Sequence, residues 1–143
     1  RCVVPITGFY EWARSNNGKL PYYLTPYDAP GMLLGGVWDR WRNRDTGDMV
    51  QSFAVLTCDA NEQLTFVHKR QPVMLSMAEA HRWLDPATPA DELAGYCGSG
   101  LPVALDAIPV STYVNNARNK DPRCVEPIGE PVRLEPALPR GVH

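Results

Sequence analysis

Fourteen prolines and eleven glycines are spread through these 143 residues, and that punctuation constrains the fold more than any other feature. Proline fixes φ and removes a backbone donor, while glycine releases the backbone, so few stretches are long enough for an extended helix. The pieces between are rich in β-branched and aromatic residues. They predict strands over Cys2 to Val4, Gly8 to Arg14, Pro21 to Leu24, Met32 to Trp41, Val50 to Cys58, Val73 to Leu75 and Ala107 to Val110. Asn16-Asn17-Gly18 tolerates positive φ and predicts a hairpin turn between the second and third strands. The polar run Arg42 to Asp48 predicts a turn between the fourth and fifth.

Helices are few and marked by caps. Ser76-Met77-Ala78-Glu79 is a capping box, and Met77, Ala80, Trp83 and Leu84 fall on one face before Asp85-Pro86 ends the helix. Thr88-Pro89-Ala90-Asp91 predicts a second helix by the same device, closed by Gly98-Ser99-Gly100, and a short helical turn is expected over Asn61 to Phe66. After Thr112 the chain reads as loop, and residues 136–143 as a frayed, flexible tail. The expected class is α+β, mainly an antiparallel β sheet or partly closed barrel with a few short peripheral helices.

A hydrophobic content of 44% supports one core, and the length requires no second domain. No run approaches the roughly 18 apolar residues of a membrane span, and the first residues lack the order of a signal peptide. The expectation is a cytoplasmic protein without a membrane partner. Cys2, Cys58, Cys97 and Cys124 are scattered, without a C-x-x-C pair, which predicts reduced, mostly buried thiols and no metal site. A net charge of −2 argues against coating nucleic acid by bulk electrostatics but leaves room for a local basic groove. Arg40, Arg42 and Arg44 cluster with Trp38 and Trp41, yet Asp39 and Asp45 interrupt them as in a solvated face.

Two short motifs place a titratable side chain among apolar neighbours. In a strand, Glu11 shares a face with Phe9 and Ala13 and lies opposite Tyr10 and Trp12. A carboxylate so placed is suited to taking and giving a proton; pairing with an arginine is the plainer alternative. His68 follows the apolar run Leu64 to Val67, and Gln71-Pro72 forces an extended exit, the setting of a working loop or of a structural histidine. Arg70 can clamp a phosphate with its planar fork or pair with an acid. Thr57, at a strand end, can hold a phosphate or cap the turn through Asp59 and Asn61. Trp12 and Trp38 can stack on unpaired bases or pack in the core. A Cys58–His68 dyad carries no local signature, and the sequence holds no glycine-rich phosphate loop or nucleophile elbow.

The order Arg1-Cys2-Val3-Val4-Pro5, Gly8-Phe9-Tyr10-Glu11-Trp12, Thr57-Cys58-Asp59-Ala60-Asn61, His68-Lys69-Arg70-Gln71-Pro72-Val73 and Pro109-Val110-Ser111-Thr112-Tyr113-Val114-Asn115-Asn116 resembles the SOS response-associated peptidase family, from Arg1 to about Pro127. The resemblance implies a DNA-damage protein that senses abasic sites in single-stranded DNA. Its N-terminal cysteine closes a thiazolidine on the sugar aldehyde, with associated self-processing peptidase and lyase chemistry. It implies that Glu11 is the proton-transferring carboxylate, that His68 assists ring opening and reversal, and that Trp12, Thr57 and Arg70 face the DNA groove. The expected partner is abasic single-stranded DNA, met by a monomer that needs neither metal nor organic cofactor. Cys2 matches the family's internal Arg-Cys-x-x-Pro strand and not its nucleophile. Residues 1–135 are therefore expected to form the C-terminal portion of one such domain, inactive in crosslinking without the terminal cysteine. Two alternatives stay open: a noncatalytic single-stranded DNA-binding module, and a hydrolase using Glu11 and His68 on another substrate.

Overall fold

The structure is a computed structural model that describes residues 1–16 and 18–138. The strands are β1 (Cys2–Ile6), β2 (Phe9–Ser15), β3 (Gly18–Pro26), β4 (Met32–Arg42), β5 (Met49–Val55), β6 (Thr57–Asp59), β7 (Arg70–Pro72), β8 (Met74–Leu75), β9 (Leu105–Pro109) and β10 (Val132–Leu134). Two helices, α1 (Met77–Leu84) and α2 (Ala90–Tyr96), and 3-10 turns at Glu62–Leu64, Thr112–Asn115 and Pro122–Val125 complete the described elements.

All the ladders are antiparallel, and they divide among two four-stranded sheets and a β6–β7 pair without closing into a barrel. In the first sheet β4 is central: β1 runs along one edge from Met32 to Gly36, while β8 and then β5 share the other. The second sheet has the order β10-β9-β3-β2, with β2 at its edge. Leu24 of β3, Met32 and Leu34 of β4, Met74 of β8, and Leu105 and Ala107 of β9 meet in one buried cluster, so the main core lies between the two sheets. Burying each such leucine contributes roughly 2 kcal/mol. Alternation sends Leu33, Leu75 and Val3 to the other face, where Ala80 and Trp83 of α1 cover them. The Trp83 Nε1–H donates to the Cys2 and Gly36 carbonyls at 3.0 and 3.1 Å, fixing the helix to the sheet.

Helix α1 has the bounds and the capping box that its sequence predicts. Helix α2 forms without the predicted cap: Pro89 holds the N-cap position, and the Thr88 hydroxyl donates instead to the Arg82 carbonyl at 2.6 Å. The strand predicted over residues 50–58 is two strands, because at Leu56 the chain crosses from one ladder to another. Its N–H donates to Gly35 and its carbonyl accepts from Val73, both at 2.9 Å. Strands β7 and β10 lie in polar, proline-bearing stretches without a legible alternation. The hairpin predicted at Asn16 to Gly18 closes with Ser15 opposite Gly18, whose φ is +112°; Asn17 lies outside the described residues. Ala137 exchanges backbone hydrogen bonds with Leu101 at 2.8 and 2.9 Å, so the predicted fraying does not begin at Pro136. Residues 139–143 of that predicted tail lie outside the described residues.

Candidate nucleic-acid interface

The period of two along β2 turns Phe9, Glu11 and Ala13 one way and Tyr10, Trp12 and Arg14 the other. Ala13 is buried and Phe9 packs on the main core, so Glu11 belongs to the inward face, directly across from Tyr22 of β3. Trp12 stands across from Pro21, and Arg14 across from Lys19. Gly8, at the start of the motif, admits no side chain: a Cβ there would lie 2.5 Å from the Tyr23 ring and 2.6 Å from the Leu24 carbonyl oxygen.

The segment that carries His68 is a loop rooted in the core. Ala60 N–H donates to the Lys69 carbonyl at 2.9 Å and closes its base, while Leu64 and Val67 are buried. Asn61 caps the Glu62–Leu64 turn by accepting from Gln63 N–H at 3.1 Å, and its amide donates to the Ser99 carbonyl at 2.9 Å. Beneath the loop, Gln71 is 2% exposed. Its Oε1 accepts from Asn61 N–H at 2.6 Å, and its Nε2 donates to the Gly100 carbonyl at 3.0 Å. His68 Nδ1 lies 3.1 Å from both the N–H and the carbonyl oxygen of Arg70, so one backbone residue holds the ring in either tautomer. The ring is exposed.

Between hairpin and loop lies a cleft of about 370 Å³, lined by Trp12, Arg14 and Lys19 on one side and residues 65–69 on the other. Its lining carries three cations, one imidazole and no carboxylate. The structure thus brings Trp12 and His68 together. Glu11 is not in the lining; it meets the loop indirectly through Tyr22, which Phe66 contacts edge-on with centroids 5.7 Å apart. Thr57 and Arg70 form a pair beside His68: Arg70 Nη2 donates to the Thr57 hydroxyl at 2.6 Å and to its carbonyl at 2.8 Å, and Nε donates to the hydroxyl at 3.2 Å. Both residues are exposed, and Arg70 makes no ion pair among the described residues. Trp38 is 51% exposed across from Phe53 on the β4–β5 hairpin and does not line this cleft.

Sequence reasoning gave no role to the clasp that holds Trp12. The Trp12 Nε1–H donates to Asn115 Oδ1 at 2.7 Å, and Tyr10 donates to the Cys124 carbonyl at 3.2 Å. Tyr113 donates to Asp121 at 2.7 Å and accepts from Arg123 at 2.6 Å, and the Arg123 guanidinium lies 4.4 Å over the Tyr113 ring. Hydrogen bonds from Arg123 and then Tyr113 hold the Asp121 carboxyl well below the usual carboxylate range, and burial first of all pushes the Tyr10 hydroxyl up. The Val114-Asn115-Asn116 motif was visible, but nothing local links it to a tryptophan 103 residues away.

The four cysteines are free; Cys124 is buried and the other three are only half-buried, so the expectation of mostly buried thiols holds for one. Burial, then neighbouring Cys97, raises the Cys58 thiol, which donates to the Gly98 carbonyl at 3.2 Å. That disfavours the thiolate a Cys58–His68 dyad would need. Cys2 opens β1 and pairs there with Gly36 of β4. Among the described residues no group of three or more histidine, cysteine, aspartate or glutamate side chains could hold a metal ion, and no helix is long and apolar enough to cross a membrane.

Antiparallel sheets with marginal helices have counterparts among known proteins. Residues 1–117 match the SOS response associated peptidase (SRAP) family, and the chain belongs to that family. It is 34% identical to the abasic site processing protein HMCES of Xenopus tropicalis over 96% of this chain and 46% of that protein. It is 25% identical to the abasic site processing protein YedK of Escherichia coli over 90% of this chain and 58% of that one. A crystal structure of a protein from Bacteroides thetaiotaomicron superposes with a TM-score of 0.79 at 28% identity, over 87% of this chain and 55% of the other. The chain thus spans about half the length of the vertebrate relatives it matches.

Proposed function

We propose that this chain carries the strand-binding side of an abasic-site-processing centre in single-stranded DNA. The observation that carries the reading is the cleft's charge: a chain of net charge −2 lines it with Arg14, Lys19, Lys69 and His68, beside the indole of Trp12 and with no carboxylate. Cations that track a backbone beside a ring that stacks on bases are how unpaired strands are held without sequence preference. The names of the relatives supply the substrate class. Arg70, braced on Thr57, offers a further phosphate contact at the rim.

In the whole protein, the amine of an N-terminal cysteine adds to the ring-opened sugar aldehyde, water leaves, and the thiol closes a thiazolidine. Protons must leave the amine and reach the departing oxygen, the work assigned to Glu11, with His68 assisting ring opening and the reverse lyase step. The family's peptidase chemistry would expose that cysteine. Glu11 stands on the face of β2 opposite Trp12, and this favours one second reading, a strand-binding module without chemistry.

Binding is tested by titrating a fluorescein-labelled single-stranded oligonucleotide carrying a tetrahydrofuran abasic analogue. Arg14→Glu combined with Lys19→Glu should weaken binding at least about tenfold and flatten the salt dependence by about 1.4, from roughly 0.7 per phosphate contact. Unchanged affinity and salt slope would overturn the cleft as the site. In a chain that carries the family's N-terminal cysteine segment ahead of Arg1, natural abasic DNA should give a covalent adduct that Glu11→Gln slows strongly. Binding without any adduct supports the noncatalytic module.

A further inference from the structure

We infer that Asn115 is a positioning residue for DNA binding, setting the plane of the Trp12 ring in the cleft; this rests on the strand-binding reading above. A tryptophan at the edge of a sheet has two free side-chain torsions and stacks on a base only in some of their combinations. Here its Nε1–H donates to Asn115 Oδ1 at 2.7 Å, and the Tyr10 ring stands 6.3 Å away at 41°. One edge and one neighbour are thereby fixed, while the indole still lines the cleft.

Asn115 is itself held more firmly than an exposed loop residue requires. It ends the Thr112–Asn115 turn, whose start Ser111 caps by accepting from Tyr113 N–H at 3.1 Å. Asn119 donates to the Tyr113 carbonyl at 2.7 Å, and Arg123 grips Asp121 through Nε and Nη2, both at 2.9 Å. The Tyr113–Asp121–Arg123 group therefore locks two adjacent 3-10 turns, and the product of that bracing at the cleft is one amide oxygen aimed at one indole. A ring oriented before the strand arrives spares the ordering cost that binding otherwise carries.

The test is a double-mutant cycle read two ways. In the 15N-resolved spectrum of the free protein, Asn115→Ala should move the indole N–H resonance of Trp12 upfield and leave those of Trp38, Trp41 and Trp83 in place, which also reports that the fold is intact. Affinity for the tetrahydrofuran oligonucleotide should fall about three- to tenfold, the scale of one neutral hydrogen bond. In Trp12→Phe, which keeps a ring and lacks the N–H, Asn115→Ala should cost nothing further. Asn115→Leu, which preserves volume, should reproduce both effects and stands in if the alanine variant fails to fold. An unmoved indole resonance, or an equal loss of affinity with and without the indole N–H, overturns the positioning role while the wild type still binds. A wild type that does not bind the oligonucleotide overturns the strand-binding reading, and the positioning role falls with it.

Discussion

Gln71 supports the loop of His68 from below, with both ends of its amide engaged and almost no contact with solvent. Replacing it with Leu leaves the Asn61 N–H and the Gly100 carbonyl buried without partners. Each unsatisfied group costs about 1–3 kcal/mol, so with two of them Gln71→Leu should lower the unfolding free energy by roughly 2–6 kcal/mol in urea titrations. Amide exchange should also quicken at Asn61, where the donor is lost. The sequence offered no sign of this: glutamine between Arg70 and Pro72 reads as loop, and its partners lie 10 and 29 residues away. Glu11 was legible in part. Its neighbours set its face correctly, because alternation is a local property, but its place relative to His68 depends on how the loop docks. Two contacts that no spacing encodes join the other candidate residues in pairs: the Arg70 fork on Thr57, and the cleft that Trp12 and His68 both line.

Among the elements, the two helices show what local signals can and cannot fix. The capping box of α1 is satisfied in both directions, with Glu79 N–H donating to Ser76 at 3.2 Å and Ser76 N–H donating to Glu79 at 2.7 Å. Ser76→Ala should therefore cost about 1 kcal/mol of stability in thermal or urea unfolding. The Thr88 segment repeats the pattern of a hydroxyl followed three residues later by an acid, yet its hydroxyl turns to the Arg82 carbonyl, because α2 packs beside the end of α1 and that carbonyl lacks a helical partner. Tertiary proximity overrode the cap. The same cause divided the predicted fifth strand: no proline or glycine interrupts it in sequence, but two different neighbours claim its halves, β4 up to Val55 and β7 from Thr57.

At the scale of the whole molecule, the α1–α2 edge should give the protein an acid-sensitive component of stability. Arg82 holds Glu92 with Nε and Nη2 at 2.8 and 2.6 Å, and the Tyr96 hydroxyl donates to the same carboxylate. Those hydrogen bonds, Arg82 first and Tyr96 second, lower the Glu92 carboxyl from 4.5 to about 2. A carboxyl depressed in the folded state stabilises fully above its unfolded value, and that contribution disappears as pH falls through the folded value. The stability difference between wild type and Glu92→Gln should thus be constant above about pH 5 and shrink between about pH 4.5 and 2. Melting curves across that range would show it, and a difference independent of pH would remove Glu92 from the account. The pair is exposed, so salt should reduce the effect throughout.

Strands β1, β5 and β8 each pair with β4, and among the described residues none of the three pairs with another. One strand is therefore the keystone of that sheet, and through it of the floor on which α1 and the main core rest. Gly36 marks how closely the neighbours approach it, since a Cβ there would come within 2.9 Å of both the Ala54 carbonyl oxygen and Cys2 Sγ. The smallest portable unit of this protein is accordingly not the pair of motifs that line the cleft. A graft carrying residues 9–19 and 65–70 onto another scaffold would transplant the jaws and leave behind the hinge pin that sets their gap.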